Sequence, residues 1–425
     1  MLQFCYSVNA AVGLLLFLIY LYQVYYTLYG LVRRPSAQGS LPRSVETAHR
    51  RYAVLICARN EEHVIGELIS SLKAQDYPSE LVDIYVLADN CTDGTYQAAQ
   101  AAGAIAYERF NTLQVGKGYA LNDLLGRIRS CHPFSYYDGY FVFDADNIVD
   151  SHFISSMDAT FAQGYDVLTS YRNSKNFGSS WISASYSIWF LRESRFLNYA
   201  RMKLNTNCAI SGTGFLLSSA IIEENGGWPY HLLTEDIQFS VICATKGWRI
   251  GYCDDAIIYD EQPVTFRQSW RQRMRWAKGF YQVDFHYVPA LLRGCFTGSR
   301  RFSCYDMLMT VMPCIFLTLF TFVVDAYFLV SCISLPSFLA HLLIRHATRS
   351  MLKILAWSYG LMLLYGLLTV LSEWKRIRAT TLKKLIYLPL FPLFMLTYIP
   401  IAIAALFVNV QWKPIQHTSV QDVRA

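Results

Sequence analysis

The sequence predicts an α/β domain, with a mostly parallel sheet flanked by helices, held between N-terminal and C-terminal transmembrane helices. Two observations support this prediction. The 425 residues are 53% hydrophobic and only 16% charged, whereas an average soluble domain is roughly 25% charged. The apolar excess lies in the first 32 residues and after about residue 305. Between these regions, short apolar runs alternate with helical segments, which is typical of a parallel sheet with helical crossovers.

The N-terminal apolar segment, residues 8–32, is long enough to cross a bilayer, which takes about 20 apolar residues. No basic residue precedes Arg33 and Arg34, and no small-residue cleavage site follows, so we predict an uncleaved anchor over residues 1–34. The positive-inside rule places both arginines, and the domain after the linker 35–50, in the cytoplasm. The expected protein is a multi-pass component of the cell membrane.

The predicted cytoplasmic domain, residues 51–262, begins with a short apolar run that is typical of a buried parallel strand. The predicted strands span 52–57, 83–89, 104–107 and 139–143, and the predicted helices open at 58–62, cover 95–102, follow 116–118 and cover 180–203. Two further short strands are expected before Gln272. Ligands of such sheets bind at the carboxyl ends of the strands, where the polar loops of this sequence fall.

Two carboxylates follow the strand at 139–143. Asp144 and Asp146 offer oxygen ligands, which Mg²⁺ and Mn²⁺ prefer and usually share with phosphates. A metal ion there would neutralise the charge that develops on a leaving diphosphate. A solvated turn is the alternative, but the position directly after an apolar strand favours a metal site.

Three more charged residues lie in loops near predicted strand ends. Lys117 stands between two glycines, which let the backbone approach a phosphate or a base closely. A flexible surface turn is the alternative for this residue. Asp89 and Asp93 follow the second strand, where they either hydrogen-bond a ribose or base edge or cap the next helix.

The sequence Thr234-Glu235-Asp236 lies near a predicted helix start. Asp236 is therefore either a helix cap or a general base that takes the proton from an acceptor hydroxyl. Direct displacement at a sugar carbon needs one base and one stabilised leaving group. It does not need the two carboxylates of glycoside hydrolysis.

The stretch from Phe266 to Tyr287 mixes basic and aromatic side chains, and it predicts amphipathic helices at the membrane surface over residues 263–300. Within it, Gln272, Arg275 and Trp276 add an amide, a guanidinium and an indole. We expect Gln272 or Arg275 to face a diphosphate and Trp276 to stack against the acceptor sugar.

The C-terminal region, residues 301–425, contains about three predicted spans, at 307–333, 352–372 and 385–410. Basic residues between the last two spans place that loop in the cytoplasm. The segment 334–346 is too short to be assigned as a separate span. Asp325 lies within a span, where an acid is either a functional residue or a hydrogen-bond partner for a neighbouring helix.

The net charge is +6. The basic residues flank the hydrophobic segments and do not cluster on a soluble face, so no nucleic-acid partner is expected. The eleven cysteines form no CxxC pair, which favours free buried thiols in a reducing compartment over a zinc site.

These motifs together resemble the membrane-bound inverting glycosyltransferases of family two, such as the cellulose, hyaluronan and poly-N-acetylglucosamine synthases. They occur in the expected order over roughly residues 50–285: Ala58-Arg59-Asn60-Glu61-Glu62, Asp89, Lys117, Asp144-Ala145-Asp146, Thr234-Glu235-Asp236 and Gln272-x-x-Arg275-Trp276. The resemblance implies a GT-A-like fold, a UDP-sugar donor and Mg²⁺ or Mn²⁺.

The resemblance also implies residue roles. The catalytic base is Asp236, and the metal ligands are Asp144 and Asp146. The donor-binding residues are Asn60, Glu61, Asp89, Lys117, Asp144, Gln272 and Arg275. The acceptor-binding residues are Gly212, Thr213, Gly214, Glu235 and Trp276.

The leading functional hypothesis is extension of a β-linked polysaccharide from UDP-N-acetylglucosamine or UDP-glucose, with export across the membrane. An accessory protein or a second copy could complete a pore. The rival hypothesis is a single addition to a membrane lipid. A carbohydrate-binding scaffold without activity is the third, and the complete acidic motifs argue against it.

Overall fold

The computed structural model describes residues 2–32, 49–331 and 336–410 and confirms the predicted α/β architecture. Its strands are β1 (Tyr52–Ala58), β2 (Val82–Asp89), β3 (Ile105–Arg109), β4 (Gly139–Asp144), β5 (Ile148–Val149), β6 (Val167–Ser174), β7 (Phe215–Ser218) and β8 (Ile250–Asp260). They form one sheet in the order β3-β2-β1-β4-β7-β6-β8-β5. β3, β2, β1 and β4 run parallel, as do β6 and β8, whereas β7 and β5 run antiparallel to their neighbours.

The α-helices surround this sheet and extend beyond it at both ends of the chain. They are α1 (Leu2–Leu31), α2 (Ile65–Lys73), α3 (Thr95–Ala101), α4 (Lys117–Cys131), α5 (Phe153–Phe161), α6 (Trp181–Arg192), α7 (Tyr199–Lys203), α8 (Ser219–Asn225), α9 (Glu235–Lys246), α10 (Phe266–Thr297), α11 (Arg301–Val311), α12 (Pro313–Ser331), α13 (Ser337–Ser372), α14 (Thr381–Tyr387), α15 (Phe391–Leu396) and α16 (Tyr398–Phe407). Short 3₁₀ turns lie at Ser79–Leu81, Phe134–Tyr136 and Leu388–Leu390.

The parallel half of the sheet is buried on both faces, as its continuous apolar strands predict. In β1, Val54 and Ile56 pack into the layer that contains α2 and α5. Leu55 points to the other face and packs with α4. Because β3, β2, β1 and β4 run parallel, the loops that follow them lie along one edge of the sheet.

The predicted helix after β1 begins later than expected, because Asn60 takes a left-handed conformation with a φ of 59°. α2 starts only after Glu61 and Glu62, so these acids do not occupy its first turn. Instead, the Glu61 N–H donates to Thr95 Oγ1 (2.8 Å), and the Gly94 N–H donates to Glu62 Oε2 (2.7 Å). These bonds hold the loops after β1 and β2 side by side.

The prediction of two short strands before Gln272 is wrong, because both belong to β8, which is 11 residues long. The pairing of β8 with β6 shifts after Ser170, and residues 254–256 bulge out of the ladder. This stretch interrupts the apolar pattern without ending the strand.

The predicted long helix at 180–203 is confirmed as a packed helix. It consists of α6, a six-residue π-helix over Glu193–Asn198, and α7. Tyr186 and Phe190 of α6 are buried in the interior.

Three of the described helical regions are long and apolar enough to cross a membrane: Ser7–Leu31, Ser337–Ser372 and Thr381–Phe407. The predicted span 307–333 is divided between α11 and α12 at Pro313, and its last two residues lie outside the described residues. Arg33, Arg34 and most of the predicted linker also lie outside them.

Two details of the C-terminal region were not anticipated. Residues from Ser337 onward continue without a break into the span expected at 352–372. The region of the last predicted span, Thr381–Phe407, is apolar enough to cross a membrane but is divided into α14, α15 and α16, which agrees with the loss of a backbone donor at each proline in this region. Asp325 Oδ1 accepts a hydrogen bond from Asn9 Nδ2 (3.1 Å), which favours the helix-pairing alternative for this acid.

A buried ion pair joins the sheet domain to the apolar helices. Arg201 donates from Nε to Asp306 Oδ2 (2.7 Å) and from Nη2 to Asp306 Oδ1 (2.8 Å), and both side chains are 1% exposed. Tyr22 and Tyr26 of α1 donate to the same carboxylate at 2.8 and 3.0 Å. One carboxylate therefore connects α1, α7 and α11.

The segment after α13 makes a second junction with the sheet. Tyr171 of β6 donates to Glu373 Oε2 (2.8 Å), and Arg195 Nε lies 3.3 Å from Glu373 Oε1. Arg378 donates to the Tyr259 hydroxyl (3.2 Å) near the end of β8. The segment after α13 thus contacts both β6 and β8, and residues of these two strands help to form the cleft described below.

We expect Asp306→Ala to destabilise the protein by about 3–5 kcal/mol, because it leaves the Arg201 guanidinium buried without a counter-ion. Thermal unfolding of the detergent-solubilised protein measures this loss. The double variant Arg201→Met/Asp306→Leu should regain most of the lost stability, because it removes both buried charges.

The matched control is Glu224→Ala, which breaks the exposed ion pair with Lys246, whose side chains are 54% and 42% exposed. This change should cost less than about 1 kcal/mol. Equal losses for Asp306→Ala and the control would contradict the assignment of the buried pair as a structural junction.

Candidate active site

A cleft with a volume of about 360 Å³ opens at the carboxyl ends of β1, β2, β4 and β8. The predicted site residues that line it are Glu61, Asp89, Lys117, Asp144, Asp146, Gly212, Glu235, Asp236, Gln272, Arg275 and Trp276. Asn60, Thr213 and Gly214 are predicted site residues that are not among its lining residues. The fold therefore brings acids from four separate parts of the sequence into one space.

Asp144 and Asp146 occupy the turn that follows β4. The Asp144 N–H donates to Thr213 Oγ1 (2.9 Å), and this hydroxyl donates to Asn147 Oδ1. Thr213 thus stabilises the turn that carries Asp144 and Asp146 through these two hydrogen bonds. It was predicted to contact the acceptor. Asp146 is 8% exposed.

Lys117, the first residue of α4, reaches into the cleft. Its Nζ donates to Asp144 Oδ1 and to the Gly212 carbonyl (2.6 Å). Gly118 is required for a reason that the sequence did not reveal: a Cβ there would lie 1.9 Å from the Tyr230 carbonyl oxygen. The glycine thus lets a crossing loop pass close to the start of α4.

Asp89 and Asp93, at the end of β2 and in the loop after it, differ from each other in their contacts. Asp89 forms a buried ion pair with Arg109 at 2.6 Å, and the two side chains are 7% and 4% exposed. Asp93 Oδ1 accepts hydrogen bonds from the N–H and the hydroxyl of Thr95, at the start of α3. The capping alternative therefore describes Asp93, whereas Asp89 borders the cleft.

Glu235 and Asp236 begin α9 and face positive groups across the cleft. Burial and the neighbouring Asp236 carboxylate raise the pKa of Glu235, and Lys117 opposes the rise. Burial also raises the pKa of Asp236, while the Ile237 N–H, Lys117 and Arg275 oppose the rise. A Cβ placed on Gly212 would lie 3.5 Å from Asp236 Oδ2, so the backbone at 212 closes one side of this carboxylate.

α10 carries Gln272, Arg275 and Trp276 over the start of α9. Arg275 Nη1 donates to the Leu233 carbonyl (3.2 Å). Gly279 allows this crossing, because a Cβ there would lie 2.5 Å from the Thr234 side chain. Within the described part of the chain, Gln272 Oε1 is buried and has no hydrogen-bond partner. It is therefore available to a ligand.

Trp276 belongs to an aromatic wall of the cleft. Its ring packs edge-on against Tyr186 at 5.7 Å and Phe190 at 6.2 Å between centroids. Trp189, from the same helix as these two residues, also lines the cleft. The indole of Trp276 is thus held by neighbouring rings and is only partly buried.

Two further residues of the cleft, Arg172 and Asp260, were not predicted. Arg172 Nε donates to Asp260 Oδ2 (2.8 Å), and Arg172 Nη1 donates to the Ser211 carbonyl (2.6 Å). The guanidinium lies 3.7 Å from the centroid of the Phe190 ring. Burial raises the pKa of Asp260, and Arg172 opposes the rise. The polar run Asp260-Glu261-Gln262 after β8 is the signal that could have identified this strand end.

Negative charge accumulates at the end of the cleft near β1. Burial, followed by the carboxylates of Asp146, Asp144 and Glu261, raises the pKa of Glu61 to about 9. Within residues 2–32, 49–331 and 336–410, no three His, Cys, Asp or Glu side chains already converge as a metal site. A cation in this region would therefore need additional oxygen ligands from a bound molecule.

The sequence from 49 to 279 matches the family model described as glycosyltransferase like family 2. The chain belongs to glycosyltransferase family 2. The match spans the whole sheet and the part of α10 that closes over the cleft. The cleft is therefore the candidate active site of a transferase.

Curated relatives of this family 2 enzyme have different products in their names. The present chain is 28% identical over 288 residues to a beta-monoglucosyldiacylglycerol synthase of Nostoc sp., and the match covers 65% of this chain and 56% of the relative. It is 28% identical over 263 residues to a poly-beta-1,6-N-acetyl-D-glucosamine synthase of Staphylococcus aureus, covering 60% of this chain and 59% of the relative. The chain thus spans less than two thirds of these relatives' lengths.

Among solved structures, a mannosyltransferase from Pyrobaculum calidifontis in complex with GDP-Man and Mn²⁺ is similar, with a TM-score of 0.49 and 15% identity. The similarity covers 86% of this chain and 98% of that protein.

We expect Glu61→Gln to change how stability depends on pH in the absence of divalent cations. The folded wild type retains the Glu61 proton up to a pH of about 9, whereas the unfolded chain releases it near the ordinary value of 4.5. The stability supplied by this proton is therefore lost as the pH rises from about 5 to 9. The unfolding temperature of Glu61→Gln relative to wild type should rise over this range and level off above it.

The control for this measurement is Glu224→Gln, an exposed acid outside the cleft. Its unfolding temperature should run parallel to that of wild type at all pH values. If the unfolding temperature of Glu61→Gln also ran parallel to that of wild type at all pH values, Glu61 would not be held protonated by its surroundings in the cleft.

Proposed function

We propose that this family 2 enzyme transfers a sugar from a UDP-sugar to a hydroxyl group of a membrane lipid, with inversion at the anomeric carbon. The observation that carries the proposal is the composition of the two ends of the cleft. One end is acidic and lies at the strand ends, and the other includes Leu197, Phe280, Thr310 and Tyr398. Thr310 and Tyr398 belong to α11 and to the start of α16, next to the apolar helices.

A lipid acceptor has to bring its hydroxyl to the reacting carbon while its acyl chains stay in the bilayer. Apolar side chains between the membrane helices and the acids, such as Leu197 and Phe280, help to meet both requirements, because the free energy falls when acyl chains leave water. The name of the Nostoc relative, a glucosyldiacylglycerol synthase, is consistent with this substrate class.

Extension of a polysaccharide is the second candidate function. The rings of Trp189, Phe190 and Trp276 along the cleft are the observation in its favour, because aromatic faces can pack against sugar rings. The staphylococcal relatives are named for a polymer of N-acetylglucosamine. In this case an accessory protein or a second copy would complete the export path.

In the proposed reaction, Asp236 takes the proton of the acceptor hydroxyl as its oxygen attacks the anomeric carbon. Burial raises the pKa of the Asp236 carboxylate, and Lys117 and Arg275 oppose this rise. The bond from the sugar to UDP breaks as the new bond forms, and UDP leaves with the electron pair. In this proposal Arg275 and Lys117 stabilise the charge on the diphosphate.

A divalent cation fits the acidic end of the cleft. Asp144 and Asp146 would hold it, because Mg²⁺ and Mn²⁺ prefer oxygen ligands and share them with phosphates. When bound, it would neutralise charge on the diphosphate. Burial and then the nearby carboxylates raise the pKa of Glu61, and such a cation would relieve the part that is due to negative charge.

Asp236→Asn should abolish sugar transfer, by about 1,000-fold or more, and leave UDP binding within about twofold of wild type. A general base contributes about 10²–10⁴-fold to the rate and does not hold the nucleotide. The measurement incubates membranes with UDP-glucose or UDP-N-acetylglucosamine and determines product mass. Wild type should yield a lipid that has gained one sugar.

Products of high mass would instead support the polysaccharide candidate and contradict the lipid proposal. If Asp236→Asn also lost UDP binding, its assignment as the base would be wrong.

Asp146→Ala should reduce by about tenfold or more the increase in UDP affinity that Mn²⁺ produces, because one of two carboxylate ligands is lost. Titration calorimetry of UDP with and without Mn²⁺ measures this coupling. The matched control is Asp255→Ala, an exposed acid in the β8 bulge, which should leave the coupling unchanged. An unchanged Mn²⁺ effect in Asp146→Ala would rule out this residue as a ligand.

A further inference from the structure

The helix that borders the cleft contains a local irregularity next to the proposed acceptor path. Between α6 and α7, residues Glu193–Asn198 form a π-helix. A π-helical turn inside an α-helix is rare, and such turns occur frequently at functional sites. Glu193 is its first residue and lines the cleft.

Glu193 places a carboxylate in a part of the cleft wall that mixes apolar and charged side chains. Trp189, Phe190 and Leu197 from the same continuous helix line the cleft beside it, and so do Arg192 and Arg201. A carboxylate there needs hydrogen-bond donors, because burying it without them costs free energy.

One donor to Glu193 comes from the protein. Ser211 Oγ donates to Glu193 Oε1 at 2.6 Å. The next residue, Gly212, lies against Asp236, because a Cβ at this glycine would be 3.5 Å from Asp236 Oδ2. The two-residue segment Ser211-Gly212 therefore connects Glu193 to the proposed base.

Within the described part of the chain, Glu193 does not form an ion pair. Among the described residues, no Lys or Arg nitrogen lies within ion-pairing distance of its carboxylate. The nearby Arg172 instead pairs with Asp260, and Arg201 pairs with Asp306. Glu193 Oε2 is thus left with capacity to accept hydrogen bonds from a ligand.

We propose that Glu193 is an acceptor-binding residue that selects lipids whose head group carries several hydroxyls. This inference rests on the proposed function of the cleft. One hydroxyl of the head group gives its proton to Asp236, and a second hydroxyl donates to Glu193 Oε2. A lipid with a single free hydroxyl satisfies only the first of these contacts, so a sugar or another polyol on the lipid is the preferred acceptor.

The test compares two short-chain acceptors that differ in their hydroxyls: octyl β-glucoside, with four, and 1,2-dioctanoylglycerol, with one. Purified full-length wild type and Glu193→Gln are assayed with the same UDP-sugar. Glu193→Gln should lower kcat/KM for octyl β-glucoside about tenfold or more, as expected for a lost hydrogen bond to a charged group. It should change kcat/KM for dioctanoylglycerol by less than about twofold.

UDP affinity provides the folding check, and Glu224→Gln, on the exposed surface, is the matched control. If Glu193→Gln loses UDP binding, Glu193→Asp is assayed in its place. It should show the same selective loss, because its shorter side chain withdraws the carboxylate from the acceptor.

The outcomes separate this inference from the proposed function. A loss confined to the polyol acceptor supports the role of Glu193. Equal losses with both acceptors, or no loss with either, would overturn it and leave the proposed function intact. A wild-type enzyme that transfers sugar to neither lipid would overturn the proposed function and this inference together.

Discussion

The cleft of this protein depends on holding nine carboxylates close together among six positive side chains. Acids from the ends of β1, β4 and β8 and from the start of α9 share one space. Lys117, Arg172 and Arg275 oppose them, and burial together with the carboxylates of Asp146, Asp144 and Glu261 raises the pKa of Glu61 to about 9. Such an arrangement costs stability, and strongly perturbed acids in a cleft are typical of functional sites. A bound cation and diphosphate would complete the charge balance that the protein leaves open.

The apolar helices are part of the construction of this site. Asp306 connects α1 and α11 to Arg201, at the end of the helix that contains the π-turn. Glu373, after α13, binds Tyr171 in β6, one residue before Arg172. α10 crosses directly over the start of α9 because Gly279 has no side chain. The positions of the acids and the arginines in the cleft therefore depend on how the apolar helices pack against the sheet domain. This coupling agrees with an acceptor that arrives from the membrane.

Sequence patterns predicted the parts of the structure that depend on periodicity and on strand ends. β1, β2 and β4 and the acids that follow them could be read directly, because buried parallel strands are continuous apolar runs that end in polar loops. Arg172 could not be found in this way, because it lies inside a strand and its partners come from distant segments. Glu193 was missed because no residue pattern marks a π-turn within a long helix. β8 was divided in two because its bulge interrupts the apolar pattern, and this error concealed Asp260.

The most direct test of the account is a structure of the full-length enzyme in lipid nanodiscs with UDP, Mn²⁺ and a short-chain glycolipid. The account predicts the metal and the diphosphate beside Asp144 and Asp146, the glycolipid head group at Asp236, and its acyl chain along Leu197 and Tyr398 toward the bilayer. A nucleotide bound outside this cleft, or an acceptor that reaches Asp236 from the side facing away from the apolar helices, would contradict it.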